Sequence, residues 1–286
     1  AVRFNRADVE VERSPGGGLE IVERARLDSS LYNEQISLLC NTEGARLLAG
    51  QRGDTAAAQA VYRVHEAPPP QSLKRLERVL DHLARVHRLD REIWCWHRGA
   101  ESLADLLERL PSDGPQVALR DAVERQVLLT NQRSVYSAEP GLHYALGVTP
   151  YSRFSSPMRE VVGVFTHKEA LEQFGLVEAA NPTAADEETR ELVIQAANRS
   201  KQLQGRLNKD VIKLAVDALF ESDLDRPLPR RPARPATVMG LSAHRLYARL
   251  DDPPVDLKVY LDDLQARLGV DLALDESEVE LVARSE

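Results

Sequence analysis

Apolar and polar residues alternate from the start of the chain. Val9 and Val11, then Leu19, Ile21 and Val22, stand on either side of Pro15-Gly-Gly-Gly18. Period-two patterning around a glycine-rich turn predicts a β-hairpin. No Gly-Lys-Ser/Thr follows those glycines and no helical pattern begins there, so a phosphate-cradling loop is the weaker reading. From Leu31 to Leu48 the period becomes helical, with Ile36, Leu38, Leu39, Leu47 and Leu48 for packing and Asp28-Ser29-Ser30 ahead of them as capping side chains. Glu34, Leu38, Asn41 and Ala45 then share one helix face. Val61 to His65 reads as extended and ends in the proline run Pro68-Pro69-Pro70.

Leu73, Leu76, Leu80 and Leu83 make one helical stripe, Leu103, Leu106, Leu107 and Leu110 a second, and residues 116–133 a further helix. Trp94-Cys95-Trp96-His97 between them reads as packing. Asp186 to Phe220 predicts one long helix or two in line, carrying Arg190, Arg199, Lys201, Arg206, Lys209 and Lys213, a charge run that reads as a solvated face. A stiff Pro/Arg linker, residues 227–235, marks the clearest boundary. Beyond it, short strands separated by turns suit a small β-barrel over 236–286. The fold class is therefore mixed α/β: a helix-rich portion over 1–226, then the barrel. Asp251, Asp252, Asp256, Asp262 and Asp263 in that last part read as solvated surface, not as a metal cluster.

Composition narrows the function. At 286 residues and 43% hydrophobic content the chain can bury a substantial core, and a net charge of −8 means that any nucleic-acid contact must be concentrated in a local groove. Cys40 and Cys95 lie at no metal-ligand spacing and read as buried or incidental thiols in a reducing compartment. With no secretory leader and no apolar run of transmembrane length, a cytoplasmic protein with no membrane partner is expected.

The densest chemistry lies at Tyr151-Ser-Arg-Phe154-Ser155-Ser156-Pro157-Met158-Arg159. Pro157 biases Ser156 toward an extended conformation, so that Met158 to Lys168 can begin a helix with Arg159 in its first turn. A forked guanidinium and two hydroxyls at a helix N-terminus suit a phosphate, and Tyr151 and Phe154 offer faces on which bases can stack. A capped buried helix whose arginine pairs with a carboxylate accounts for the same residues equally well.

The stretch also resembles the ribonuclease II (RNB-domain) family. That family's pattern reads approximately His-Phe-Gly-Leu, then Tyr-x-His-Phe-Thr-Ser-Pro-Ile-Arg-Arg-Tyr-x-Asp-Leu, then a His-Arg pair. His143, Leu146, Tyr151, Phe154, Ser156, Pro157, Arg159 and His167 match in register, with Ser155, Met158 and Lys168 as near substitutes. Glu160, Val161 and Gly163 depart, standing where the pattern has Arg, Tyr and Asp. Arg63, His65 and Pro68 resemble the family's Tyr-Arg-x-His-x-x-Pro element, and Ser134-Val-Tyr136-Ser137 its Ala-x-Tyr-Ser. Glu34 and Asn41 match a helix whose polar face approaches RNA, although Gln35 replaces a second Glu; the best register puts Asn208 at another expected Glu.

The resemblance implies a 3′→5′ exoribonuclease that hydrolyses single-stranded RNA to nucleoside monophosphates with Mg²⁺. Arg159 takes the family's role at the scissile phosphate. Glu34, Asn41, Arg63, His65, His143, Tyr151, Phe154, Ser155, Ser156 and His167 take RNA-binding roles. His65 on its own reads as an orienting hydrogen-bond partner rather than a metal ligand. No metal ligand is assigned within the chain: the family's aspartate constellation lies on the amino-terminal half of the catalytic domain, and the hairpin over Val9 to Val22 falls in the middle of that domain. The chain is thus expected to be the carboxy-terminal portion of a longer protein, with that amino-terminal half and single-stranded RNA as partners and an OB-fold domain at its end. The alternatives are a non-catalytic RNA-binding or adaptor relative without the metal site, and a helical scaffold with no RNA affinity.

Overall fold

The computed structural model describes residues 8–24, 27–50, 59–178, 183–275 and 277–284. In chain order it contains β1 (Asp8–Arg13), β2 (Leu19–Arg24), α1 (Asp28–Gly50), β3 (Tyr62–Val64), α2 (Pro70–Val86), α3 (Arg91–Trp94), α4 (Leu103–Arg109), α5 (Val117–Thr130) and β4 (Val135–Ser137). There follow α6 (Val161–Gln173), α7 (Thr183–Leu224), β5 (Ala236–Ser242), β6 (Arg245–Leu250), β7 (Asp256–Tyr260), α8 (Leu261–Leu268), β8 (Leu272–Leu274) and β9 (Leu281–Ala283). This is the mixed α/β class expected from the patterning. The predicted hairpin, the leucine-striped helices and the long helix are all present, the last extending beyond its expected bounds. No helix of the described residues is long and apolar enough to cross a membrane.

The chain divides into two compact units. The first contains residues 26–67 and 132–210. Its small sheet pairs β3 with β4 antiparallel, Arg63 opposite Tyr136. Val162, Phe165, Thr166 and Glu169 of α6 recur at helical spacing and are buried; Val162 and Phe165 pack with Val61 and with Val193, Ile194 and Ala197 of α7. A second cluster joins Ala45 and Leu48 of α1 to Ala60, Tyr62 and Ala170, with Phe154 against it.

The second unit contains residues 2–25, 68–131 and 211–286. Its core gathers Leu76, Leu80, Trp94, Leu103, Leu106, Leu107, Leu110, Val123 and Val127, so Trp94 is packing, as its position between helices suggests. Pro70 opens α2 at a position where a missing N–H costs nothing, and Ser102 and Asp105 close a reciprocal capping box at the start of α4. The carboxy-terminal strands form a three-stranded sheet, β5-β6-β7, and a separate β8-β9 hairpin, small sheets consistent with an OB-like part. An unforeseen helix, α8, stands between them, opened by Asp262 and Asp263 and closed by Gly269 in the left-handed conformation. Asp256 pairs with Arg125 of α5, and Gln126 donates to the Met239 carbonyl at 2.6 Å.

Three local expectations are corrected. Asp28, Ser29 and Ser30 lie inside α1, not ahead of it. Cys40 is exposed on α1, which removes its buried reading and leaves the incidental one, while Cys95 is buried. Helix α6 begins at Val161, so Arg159 precedes it and Glu160 occupies the N-cap. Turns at residues 154–159 delay the helix. They also press against it: a Cβ on Gly163 would lie 1.9 Å from the Ser156 carbonyl oxygen. Any side chain at this position would clash with the turn as it stands. Gly163→Asp and Gly163→Ala are both expected to lower stability by roughly 1–3 kcal/mol, read as a fall in the urea unfolding midpoint; unchanged midpoints would refute this packing.

Candidate nucleic-acid interface

The segment carrying Arg159 is held by one buried amide. Asn41 is 0% exposed on α1. Its Nδ2 donates to the Tyr151 hydroxyl at 2.9 Å, its Oδ1 accepts from the Ser155 N–H at 2.8 Å, and its main-chain carbonyl accepts from the Ser152 N–H at 3.3 Å. Ser152 is also fully buried, and its hydroxyl donates to the Val61 carbonyl at 2.6 Å. The Arg63 N–H donates to the Tyr151 carbonyl at 2.8 Å. Residues 151–155 are thereby fastened to α1 on one side and to β3 on the other.

A second fastening is built on histidines. The His65 N–H donates to the Leu142 carbonyl, its carbonyl accepts from the Tyr144 N–H, and its Nδ1 accepts from the Ala145 N–H at 3.2 Å. The orienting use of His65 is thus observed, and the bond fixes its ring proton on Nε2. Beside it the buried His143 ring makes edge contacts with His65 and Tyr151, at centroid distances of 5.2 and 5.1 Å, and neither ring nitrogen has a hydrogen-bond partner among the described residues. Burial, with the charge of Arg63 nearby, pushes the His143 imidazole down to about 4. His167 donates from Nε2 to the Phe154 carbonyl at 2.8 Å and packs against the Phe154 ring. That ring lies over α1 at Gly44, where a Cβ would come within 2.4 Å of it.

These fastenings edge a cleft of about 670 Å³ lined by Arg63, Tyr136, Arg153, Arg159, Glu160, Lys201 and Asn208, among others. Arg159 is exposed, with the Ser156 hydroxyl 3.5 Å from its Nε. Glu160 is the one carboxylate in the lining. It accepts from Arg153 at 2.9 Å and from the Tyr136 hydroxyl at 3.1 Å. Burial works against its charge, yet Arg153 and Tyr136 hold its carboxyl below the usual range. Arg63 donates to the Ser134 hydroxyl at 3.1 Å, and the Lys201 ammonium donates to that hydroxyl at 2.6 Å and to the Ser134 carbonyl. Burial, reinforced by Arg63 and Arg133, lowers the Lys201 ammonium to about 8. The cleft therefore presents cations whose single carboxylate is already engaged, an arrangement suited to a phosphate chain.

The described residues contain one group of carboxylates close enough to share a cation, Glu169, Glu172 and Asp186. The Lys168 ammonium lies among them at 2.8 to 2.9 Å. Burial opposes that charge, and the three carboxylates nevertheless raise its pKa. A lysine-centred cluster of this kind does not fit a divalent metal.

Of the residues singled out in the sequence, Arg63 and Arg159 line the cleft. Asn41, Tyr151, His65, His143 and Ser156 are buried beneath and around it, Phe154, Ser155 and His167 are partly buried, and Glu34 is exposed on α1. Sequence reasoning missed Arg153, Glu160 and Lys201 as members of one cleft. The Arg153–Glu160 pair spans a turn with no helical spacing, and Lys201 reads only as part of a solvated charge run.

An RNB domain family model matches residues 1–168 of the chain, more than half of it. The chain belongs to the RNB-domain family. Over 153 residues this RNB chain is 31% identical to Ribonuclease R of Thermotoga maritima, spanning 54% of the chain and 20% of that relative. It is 23% identical over 214 residues to Ribonuclease R of Helicobacter pylori strain J99, spanning 73% of the chain and 30% of the relative. In fold it resembles Mycoplasma genitalium RNase R in complex with ribose methylated single-stranded RNA, with a TM-score of 0.79 at 14% identity, covering 99% of this chain and 41% of that one. It also resembles yeast Ssd1, a pseudonuclease, with a TM-score of 0.54 at 14% identity, covering 82% and 27% respectively. The RNB chain thus spans between a fifth and about two fifths of the length of these relatives.

Asn41→Ala strands the Ser155 N–H and the Tyr151 hydroxyl and is expected to cost roughly 2–4 kcal/mol, measured by urea unfolding; a loss near zero would show that the clamp contributes nothing. The depressed His143 pKa lies below its unfolded value of 6.5, so the unfolded chain binds the proton more tightly and stability falls as pH drops from about 6.5 to about 4. His143→Phe should remove this component, on the order of 3 kcal/mol. Unfolding free energies of both proteins at pH 7 and pH 4 would then diverge, and equal pH dependence would contradict the assignment.

Proposed function

We propose that this chain is the strand-binding and arginine-bearing side of a 3′→5′ exoribonuclease acting on single-stranded RNA and releasing nucleoside monophosphates. The cleft carries this reading: Arg63, Arg153, Arg159 and Lys201 converge in an otherwise acidic chain around one carboxylate that is already paired. Membership of the RNB-domain family supports it, as does the naming of its relatives as Ribonuclease R. The related Mycoplasma enzyme was solved with single-stranded RNA, which supports the substrate class.

Arg159 is the catalytic residue of this proposal. Exposed and ahead of α6, its guanidinium can grip two phosphate oxygens and offset the charge that grows on the scissile phosphate. Arg63 and Lys201, anchored on Ser134, hold the strand; Asn41, His65, His143, Tyr151, Ser155, Ser156 and His167 fix the segment that presents Arg159; Phe154 keeps it seated on α1; Glu34 reaches outward from the same helix. The Mg²⁺ implied by the resemblance finds no fitting ligand set among the described residues. We assign its carboxylates to the amino-terminal half of the same protein, the partner that hydrolysis requires.

One observation favours a second reading, that of an RNA-binding relative without hydrolysis. Asn208 lines the cleft where the family pattern has Glu, and its Oδ1 accepts from Gln204 at 2.7 Å. Loss of nuclease activity on this fold has a precedent in the related yeast pseudonuclease.

A 5′-labelled single-stranded RNA oligonucleotide, incubated with the protein and its amino-terminal half in Mg²⁺ and separately in EDTA, distinguishes the two. Stepwise shortening from the 3′ end in Mg²⁺ is expected. Arg159→Ala should slow it about 10²- to 10³-fold while affinity in EDTA falls far less. Tight binding without shortening would establish the second reading, and equal losses of rate and affinity would remove Arg159 from the chemistry.

A further inference from the structure

Beside the cleft lies a second cavity of about 430 Å³, and the two share Lys201 and Gly205 of α7. Its lining includes four cations, Arg133, Lys201, Arg206 and Lys209, and neither Asp nor Glu. None of the four makes an ion pair with a described residue. In the same unit Arg153 pairs with Glu160, and Lys168 is held by three carboxylates. All four are exposed, as the cations of a charged helix face are, and the lining gathers them with no acid among them. Here Arg133, from the segment leading into β4, meets the α7 cations on a single wall.

The floor of this wall is shaped as well as charged. Gly205 sits in the middle of a long helix, where glycine is less favourable than alanine. A Cβ there would meet nothing within 4 Å, so no packing inside the protein calls for glycine. Lys201, Gly205 and Lys209 follow at i, i+4 and i+8 along one stripe, spanning about 12 Å of helix with an open floor between two ammonium groups. Lys201 is tethered by both oxygens of Ser134, so its charge is fixed in place and not free to swing away.

We propose that this cavity is a second backbone-binding subsite, in which Arg133, Arg206 and Lys209 hold phosphates of an RNA strand whose end lies in the Arg159 cleft. The inference rests on the RNA reading given above and adds to it a dependence on strand length. A short oligonucleotide fills the cleft alone, and a longer one also crosses Gly205 into the second cavity. Burial is the main cause that lowers the Lys201 hold on its proton, with the charges of Arg63 and Arg133 adding to it; an anion there offsets that added repulsion and favours the charged form of Lys201.

Fluorescence anisotropy with labelled oligoadenylates of 4 and 12 nucleotides, in EDTA to prevent cleavage and over a series of KCl concentrations, tests this on the protein and on Arg206→Ala/Lys209→Ala. Both substituted side chains are exposed and lie outside the lining of the first cleft, so the variant should fold normally. The 12-mer should bind the variant about tenfold or more weakly, with a salt slope less negative by about 1.4, since each phosphate contact on a single strand contributes about 0.7. The 4-mer should bind both proteins equally. Unchanged 12-mer binding at every salt concentration overturns the subsite and leaves the RNA reading intact, and so does an equal loss for both lengths. Failure of the unsubstituted protein to bind either oligonucleotide overturns the RNA reading and the subsite together. In that case, capture of a polyglutamate peptide would identify an acidic protein segment as the occupant.

Discussion

A single buried amide organises the interface. Asn41 has no access to solvent, so each of its polar atoms must find a partner inside the protein, and the chain supplies them from residues more than a hundred positions away: Tyr151, Ser152 and Ser155. The requirement runs both ways. Residues 151–155 lie outside helix and strand, so their backbone groups need partners from other segments: Asn41 accepts from the Ser152 and Ser155 N–H groups, and Arg63 of β3 donates to the Tyr151 carbonyl. Pro157 and the glycines complete the constraint, Gly44 by admitting the Phe154 ring against α1 and Gly163 by admitting the Ser156 carbonyl against α6. Arg159 is held at the end of this fastened segment, outside the helix and in solvent.

Charge follows the same division between what is consumed inside and what is left outward. Glu160 belongs to Arg153 and Tyr136; Glu169, Glu172 and Asp186 belong to Lys168. The one carboxylate in the cleft lining is therefore already paired. The cations facing the cleft and the adjoining cavity, Arg159, Arg133, Arg206 and Lys209, make no ion pair among the described residues. An acidic protein can in this way offer a positive surface to a polyanion without a positive net charge. Lys201 is the junction of the two cavities, where burial, with Arg63 and Arg133 adding repulsion, weakens its hold on a proton.

Much of the local structure was legible in the residues. Period-two runs around Pro15-Gly18 mark the β1-β2 hairpin, leucine stripes mark α2 and α4, and the absence of proline from Asp186 to Phe220 marks α7. The motif from His143 to His167 pointed to the family that the domain match shows. Less legible were features whose cause is non-local. Helix α8 rests on a short Leu-Asp-Asp-Leu stretch that reads as strand and turn until Gly269 caps it. The start of α6 was misplaced because nothing in Pro157-Met-Arg159 announces that the turn must first reach Gly163.

Sequence by itself determined which elements form and which residue types gather around Arg159, because helix, strand and turn preferences are set by neighbours a few positions apart. Only the tertiary structure decided what those residues do. Asn41 and Tyr151 look like polar and aromatic ligand contacts in a linear reading, and burial turns them into the fastening of the segment. Lys201, Arg206 and Lys209 are exposed, as their charge run suggests, and the approach of Arg133 and Ser134 adds that they line one cavity. Burial and the pairing of charge depend on chain segments that meet across long stretches of sequence, and no local pattern records that meeting.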